Sequence, residues 1–215
     1  MSAEILRINS DAPESSLIRY VAERIQAGHV VGMPTDTFYG LAADPYNLRA
    51  VELIYLVKSR FRNKPLSLLV ESVDQAEELA DVADNNHFQI LAEKYWPGPL
   101  TIIVKATPRL PLKVTANTGN VAIRVPAASI PMEVIRAAGV PITATSANVS
   151  GASECTTAAC VRNQLGERIP LIVDGGPSPR SVPSTIVDLT DPTGRWRLQR
   201  EGAIPAQELV ELLGE

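Results

Sequence analysis

The sequence predicts an α/β fold of the mixed α+β kind, a twisted, largely mixed sheet flanked by helices. Three observations carry this. Segments with helical periodicity alternate with short apolar runs of strand character. A hydrophobic fraction of 45% beside 20% charged residues is enough for a packed core and argues against disorder. No repeat, low-complexity tract or linker divides the 215 residues, so one domain is expected over 1–215.

The elements follow in order. Residues 15–27 predict a helix, with Leu17, Ile18, Val21 and Ile25 on one face, Ser15 or Ser16 to cap it and Gly28 to end it. HVVGMP is a short buried strand that stops at Pro34. Leu48, Val51, Ile54 and Tyr55 mark a helix over 48–57, and PLSLLV the next strand. Ser72 and Gln75 have capping-box spacing ahead of SVDQAEELA. A further helix ends at Trp96-Pro97, because Pro97 cannot continue it. LTIIVKA and VAIRVP are strands, and the Pro-, Thr- and Asn-rich PRLPLKVTANTGN between them is an excursion over the sheet. PMEVIRAAG is a helix with Pro131 in its first turn. PITATS is a strand. A helix near 156–165 follows, then strands PLIVDGG, STIVDLT and RWRLQR, and a last helix from Pro205. DGGPSPRSVPS, rich in Gly, Pro and Ser, predicts a mobile loop.

Composition bounds the function. A net charge of −4 argues against a surface built to coat nucleic acid. MSAEILRINSDAPES has no apolar core of a targeting signal, and no run reaches the ~20 residues that span a bilayer, so no membrane contact and a cytoplasmic location are expected. Cys155 and Cys160, five apart in a stretch read as helix, point to different faces and are expected to be ordinary thiols. His29 and His87 have no second ligand at metal spacing and are read as structural or surface residues.

Neither a P-loop nor a G-x-G-x-x-G turn is present. Polar clusters instead follow predicted strands. The first is Thr35, Asp36, Thr37 and Gly40, a ligand site at a strand end or a capped turn. In the second, Lys58, Arg60, Arg62 and Lys64 place four cations within seven residues. This suits phosphate, and equally a solvated helix end. The third, Thr143, Thr145, Ser146, Asn148 and Ser150 before Gly151, offers neutral hydrogen-bonding groups for a ligand or a helix cap. Arg124 in VAIRVP shares a face with Ala122, and there it meets either an anion or a structural carboxylate. Ser184, Thr185 and Arg200 lie at strand edges.

Taken together, PTDTFYGLAAD, KSRFRNKPLSLLV, WPGPLTIIV, VAIRVP, PITATSANVSG, VDGGPSPRSVPSTIVD and LQREGAI resemble, in order and over about residues 15–205, the YrdC-like family of threonylcarbamoyl-adenylate synthases. The resemblance implies a concave basic cleft in a short, single-domain form. It also implies an enzyme, a nucleotidyltransferase that joins L-threonine, bicarbonate and ATP into threonylcarbamoyl-AMP and pyrophosphate, for N6-threonylcarbamoyladenosine in tRNA. The family's polar tetrad falls on Lys58, Arg60, Ser146 and Asn148, the implied catalytic set. Thr37, Arg124 and Ser184 would bind threonine. Lys58, Arg60, Ser146 and Arg200 would bind ATP, with Mg2+ as cofactor and Asp36 as its outer-shell partner. The loop before Ser184 would act as a lid. Downstream tRNA threonylcarbamoyl-transferase proteins are the implied partners, with a weak tRNA contact. Some members carry a His in an N-P-L-x-x-H version of the strand after the basic cluster. Here that stretch ends Ser67-Leu68-Leu69, so the contact falls to Ser67 or is absent. A related carbamoyl-transfer module and a non-catalytic RNA-binding protein are the alternative readings.

Overall fold

The computed structural model describes residues 2–214. Eleven short strands and seven helices are present among them, and the mixed sheet is divided in two. In chain order the elements are β1 (Glu4–Arg7), α1 (Ser15–Gln26), β2 (Val31–Met33), β3 (Gly40–Ala42), α2 (Leu48–Lys58), β4 (Ser67–Leu69) and α3 (Val73–Leu79). They continue with α4 (Asn86–Tyr95), β5 (Leu100–Lys105), β6 (Asn120–Arg124), α5 (Ser129–Ala138), β7 (Ile142–Thr143) and β8 (Thr145–Ser146). The last are α6 (Ala158–Leu165), β9 (Leu171–Asp174), β10 (Thr185–Asp188), β11 (Arg197–Arg200) and α7 (Ala206–Leu213). The first sheet runs β1-β9-β2-β3-β8 and the second β11-β10-β5-β6-β4-β7.

The helices form where apolar periodicity is strong, with or without a side-chain cap. Glu14 stands at the N-cap of α1 and no side chain caps it, so neither Ser15 nor Ser16 takes the expected role, because Ser15 is already the first helical residue. α1 buries Ile18, Val21, Ala22 and Ile25, and Gly28 beyond it takes φ +85. The Asn47 side chain accepts the Arg49 and Ala50 amides at the start of α2. Ser72 caps α3 through the Gln75 amide, but Gln75 Oε1 returns to the Glu71 amide instead of closing a capping box. α4 ends at Tyr95, just before a cis Trp96-Pro97 bond.

Four differences from the sequence reading matter for the site. EILR pairs as β1 with β9, and GLA of the expected turn pairs as β3 between β2 and β8. PITATS is not one strand. Ile142–Thr143 pairs with β4 in the second sheet, and Thr145–Ser146 pairs with β3 in the first. The chain changes sheet at Ala144, whose amide donates to Ser67 O at 2.8 Å. Finally, Cys155 and Cys160 are disulfide-bonded, not free thiols. The helical spacing assumed for them does not apply. Thr157 caps α6 and Cys155 lies before it, so the two Cα atoms approach to 5.4 Å.

Two apolar clusters fill the interior. One lies among α2, α3, α4, α6 and both sheets; the other joins α1 and α5 to β2, β9 and Ile142. No helix among the described residues is long and apolar enough to cross a membrane.

Candidate functional site

The strand change at Ala144 opens a cleft of about 230 Å³ between the sheets. The first sheet contributes Ser146, with Thr35, Thr37 and Tyr39 from the β2–β3 connection; the second contributes Ser67, Thr101, Arg124 and Arg200, with Ser184 just ahead of β10. Arg60 and Glu154 reach it from loops. The sequence clusters that follow separate strands therefore converge on one place.

Lys58 ends α2 with its side chain turned inward and only 2% of the residue exposed. The left-handed Ser59 (φ 51) terminates the helix behind it. Lys58 Nζ donates to Ser146 O, to Asn148 O at 2.9 Å and to Asn148 Oδ1 at 3.0 Å. An ammonium has three hydrogens, and these three acceptors use them all. Ser146 Oγ donates to the same Asn148 Oδ1 at 2.7 Å, and Asn148 Nδ2 donates to Ala152 O at 2.5 Å. Burial, then the nearby Arg60 charge, lowers the Lys58 pKa to about 8, with Glu154 pulling the other way. Lys58 and Asn148 thus sit behind the cleft wall and hold up Ser146, which faces the cleft.

Arg60 is placed differently. Its Nη2 donates to Pro65 O at 3.0 Å, while its Nε is buried with no partner. Burial lowers its pKa. Arg60 nonetheless lines the cleft, and Pro65 takes only one bond from its fork of terminal N–H groups, which suits an acceptor such as a phosphate oxygen.

Across the cleft, Arg124 Nε donates to Gly98 O at 2.8 Å and Nη1 to Thr37 Oγ1 at 3.0 Å. Its Nη2 lies 2.5 Å from Asp36 Oδ1, with both side chains 7% exposed. That contact is a close ion pair whose angle falls outside hydrogen-bond geometry, since Nη2 counts no aligned partner. Asp36 Oδ1 also accepts the Ala127 amide at 3.3 Å. Asp36 therefore turns away from the cleft and lines a neighbouring cavity with Ser10, Ser129 and Ser178.

Ser184 Oγ and Thr101 Oγ1 are 2.8 Å apart and buried. Arg200 Nη2 donates to Ser184 O at 2.8 Å and to Ser184 Oγ at 3.1 Å. Arg200 thereby fixes the strand end that presents Ser184.

All eight residues expected at the site gather here, but Lys58 and Asn148 do so from the second layer. Ser67 and Leu69 both line the cleft, and Leu69 pairs with Arg124 across β4 and β6. Sequence reasoning missed Thr101 and Glu154. Thr101 is a lone polar residue on LTIIV, and strand alternation flags it only once Arg124 fixes which face is the cleft. Glu154, in the polar GASEC, carries no local signal.

Comparison with known proteins agrees with this geometry. The family model Sua5_yciO_yrdC, described as "Telomere recombination", matches residues 23–202. A threonylcarbamoyl-AMP synthase of Pyrococcus abyssi is 36% identical over 92% of this chain, and the chain spans 57% of that relative's length. A putative threonylcarbamoyl-AMP synthase of Mycobacterium tuberculosis is 35% identical over 88% of the chain and 86% of the relative. The crystal structure of P. abyssi Sua5 complexed with L-threonine superposes with a TM-score of 0.93 at 34% identity, covering 99% of this chain and 62% of that one. The chain belongs to the Sua5/YciO/YrdC family.

Proposed function

We propose that this chain is an L-threonylcarbamoyladenylate synthase, a nucleotidyltransferase that makes threonylcarbamoyl-AMP and pyrophosphate from L-threonine, bicarbonate and ATP for N6-threonylcarbamoyladenosine in tRNA. The observation that carries the reading is one cleft with two unlike walls. One wall offers the Arg60 guanidinium beside Ser146. The other offers Thr37, Arg124, Ser184 and Arg200. The first suits a nucleotide phosphate, the second a small zwitterion with a carboxylate and a hydroxyl. Relatives named as this synthase, and the threonine complex of a structural neighbour, support the assignment.

The chemistry needs no protein nucleophile. The threonine amine, having lost its proton, forms a bond to the bicarbonate carbon, and water leaves. The resulting carbamate oxygen attacks the α-phosphorus of ATP, and pyrophosphate leaves. The protein holds the reactants together and meets the charge that develops. Arg124 keeps guanidinium N–H groups for the threonine carboxylate, since Gly98, Thr37 and Asp36 leave part of its fork free. Arg60 meets the phosphates, by a preorganised electrostatic effect typically worth ~3 kcal/mol for one well-placed donor. Mg2+, when bound with ATP, neutralises phosphate charge. Such a cation takes most of its ligands from phosphates and water. The product is handed to tRNA threonylcarbamoyl-transferase proteins in the cytoplasm, with a weak tRNA contact.

Incubation with labelled bicarbonate, ATP, Mg2+ and L-threonine tests the assignment. Threonine-dependent threonylcarbamoyl-AMP and pyrophosphate are expected, and are lost in folded Arg60→Ala and Ser146→Ala variants. No product from a folded, ATP-binding protein overturns the reading.

A further inference from the structure

The hydrogen-bond polarity of the Lys58 corner fixes what Ser146 can offer a ligand. Lys58 Nζ carries only donors, so the Asn148 atom 3.0 Å from it is the amide oxygen. Asn148 Nδ2 facing Ala152 O agrees with that orientation. The Ser146 hydroxyl, 2.7 Å from the same oxygen, must therefore direct its single hydrogen there. Lys58 Nζ is also 3.5 Å from Ser146 Oγ, but its hydrogens are already taken by Ser146 O, Asn148 O and Asn148 Oδ1. Ser146 Oγ thus presents lone pairs to the cleft. A phosphate oxygen is an acceptor too, so the two cannot bond directly. A cation or a hydrogen donor must lie between them.

A second observation points the same way. Glu154 is the one carboxylate that lines the cleft, and among the described residues it makes no hydrogen bond or ion pair. It is held in place by its neighbour. Cys155 is fully buried, accepts the Tyr39 amide at 2.8 Å and is bonded to Cys160. A free carboxylate on the wall of a phosphate site repels the phosphates unless a cation intervenes.

We propose that Ser146 Oγ and the Glu154 carboxylate form the metal-facing corner of the cleft, meeting the divalent cation that accompanies the nucleotide directly or through its waters. The inference rests on the nucleotide reading above. Two oxygen ligands are enough, because such a cation takes its remaining positions from phosphates and water. A division of labour on one wall follows: Arg60 meets bare phosphate oxygens, and Ser146 with Glu154 meets the metal.

Mn2+ electron paramagnetic resonance tests this without turnover. Mn2+ is titrated into the protein with an ATP analogue that cannot be cleaved between its α and β phosphates, and binding of the metal-free analogue is measured separately in chelator. Glu154→Gln is expected to weaken Mn2+ binding in the ternary complex about tenfold or more. Its affinity for metal-free analogue should hold or rise, because an anion has left a cleft of arginines. Ser146→Cys provides an independent arm, since a thiol ligand shifts the preference toward Cd2+. Unchanged Mn2+ affinity in Glu154→Gln, with no Cd2+ preference in Ser146→Cys, overturns the proposal and leaves Glu154 a counter-charge for Arg200 and Lys58. A wild-type protein that binds the analogue neither with nor without metal overturns the nucleotide reading as well.

Discussion

Two buried cations stand on either side of the cleft, and the protein treats them in opposite ways. Arg124 is paired with a buried carboxylate, Asp36, and bound to a hydroxyl and a carbonyl. Lys58 has no carboxylate in contact and is held only by neutral oxygens of Ser146 and Asn148. The paired site is locked by charge and depends on both partners. The unpaired one keeps a net positive charge under the nucleotide wall and becomes sensitive to pH.

The sharpest way to break this contrast is Asp36→Ala, which leaves Arg124 buried and uncompensated. A stability loss of about 3–5 kcal/mol is expected in urea unfolding. Asp36→Asn should lose less, because an amide oxygen still accepts. Lys58→Met should cost less than Asp36→Ala, about 1–3 kcal/mol. It orphans oxygens of Ser146 and Asn148 but also removes a buried charge. Its effect on turnover is larger than its effect on stability. Ser146 and the metal-facing corner lose their support, and misplacement on that scale costs about a hundredfold in kcat.

A pH series sharpens the difference further. The folded pKa of Lys58 is about 8 against an ordinary 10.5. Between those values the unfolded chain holds the proton and the folded chain does not, so the Lys58 contribution to stability rises with pH through that window and is flat below it. Turnover moves the other way, because the neutral amine cannot supply three donated hydrogens and activity falls as pH rises through about 8. The difference between wild type and Lys58→Met in urea unfolding across that range isolates the effect. Arg124 adds nothing to it, since an arginine keeps its proton there. The smallest effect is expected from Ser184→Ala, which removes one hydroxyl contact with Thr101 and one with Arg200. About 1 kcal/mol of stability should be lost in urea unfolding. The KM for threonine should rise more than kcat falls.

Legibility in the sequence followed length and chemistry. Helices α1, α2 and α5 announced themselves through periodic apolar residues, helped by a glycine just past α1 and α5 and by the Asn47 cap on α2. Strands β1 and β3 did not, since four and three residues give alternation too little room. The gathering of the polar clusters was foreseeable from their positions after strands. Which of them face the ligand was not. Lys58 and Asn148 read as ligand-binding groups and lie one layer back, because their orientation depends on where β8 lands and on the left-handed turn at Ser59. Asp36, read as an outer-shell partner of Mg2+, pairs with Arg124 and lines the neighbouring cavity. The disulfide escaped because the predicted helix began too early, which turned an irregular approach into a helical spacing.

The passage of the chain from one sheet to the other at Ala144 makes that residue a seam. Ser146 is stitched to one panel and Ser67, whose carbonyl holds the Ala144 amide, to the other. On the proposed function, a metal-bound nucleotide at Ser146 and an amino acid at Arg124 would pull on opposite sides of the same stitch. The first to arrive would then take up the slack, and the second would find a tauter opening that costs less to order. Threonine and ATP should each tighten the binding of the other by the same factor, as linkage requires.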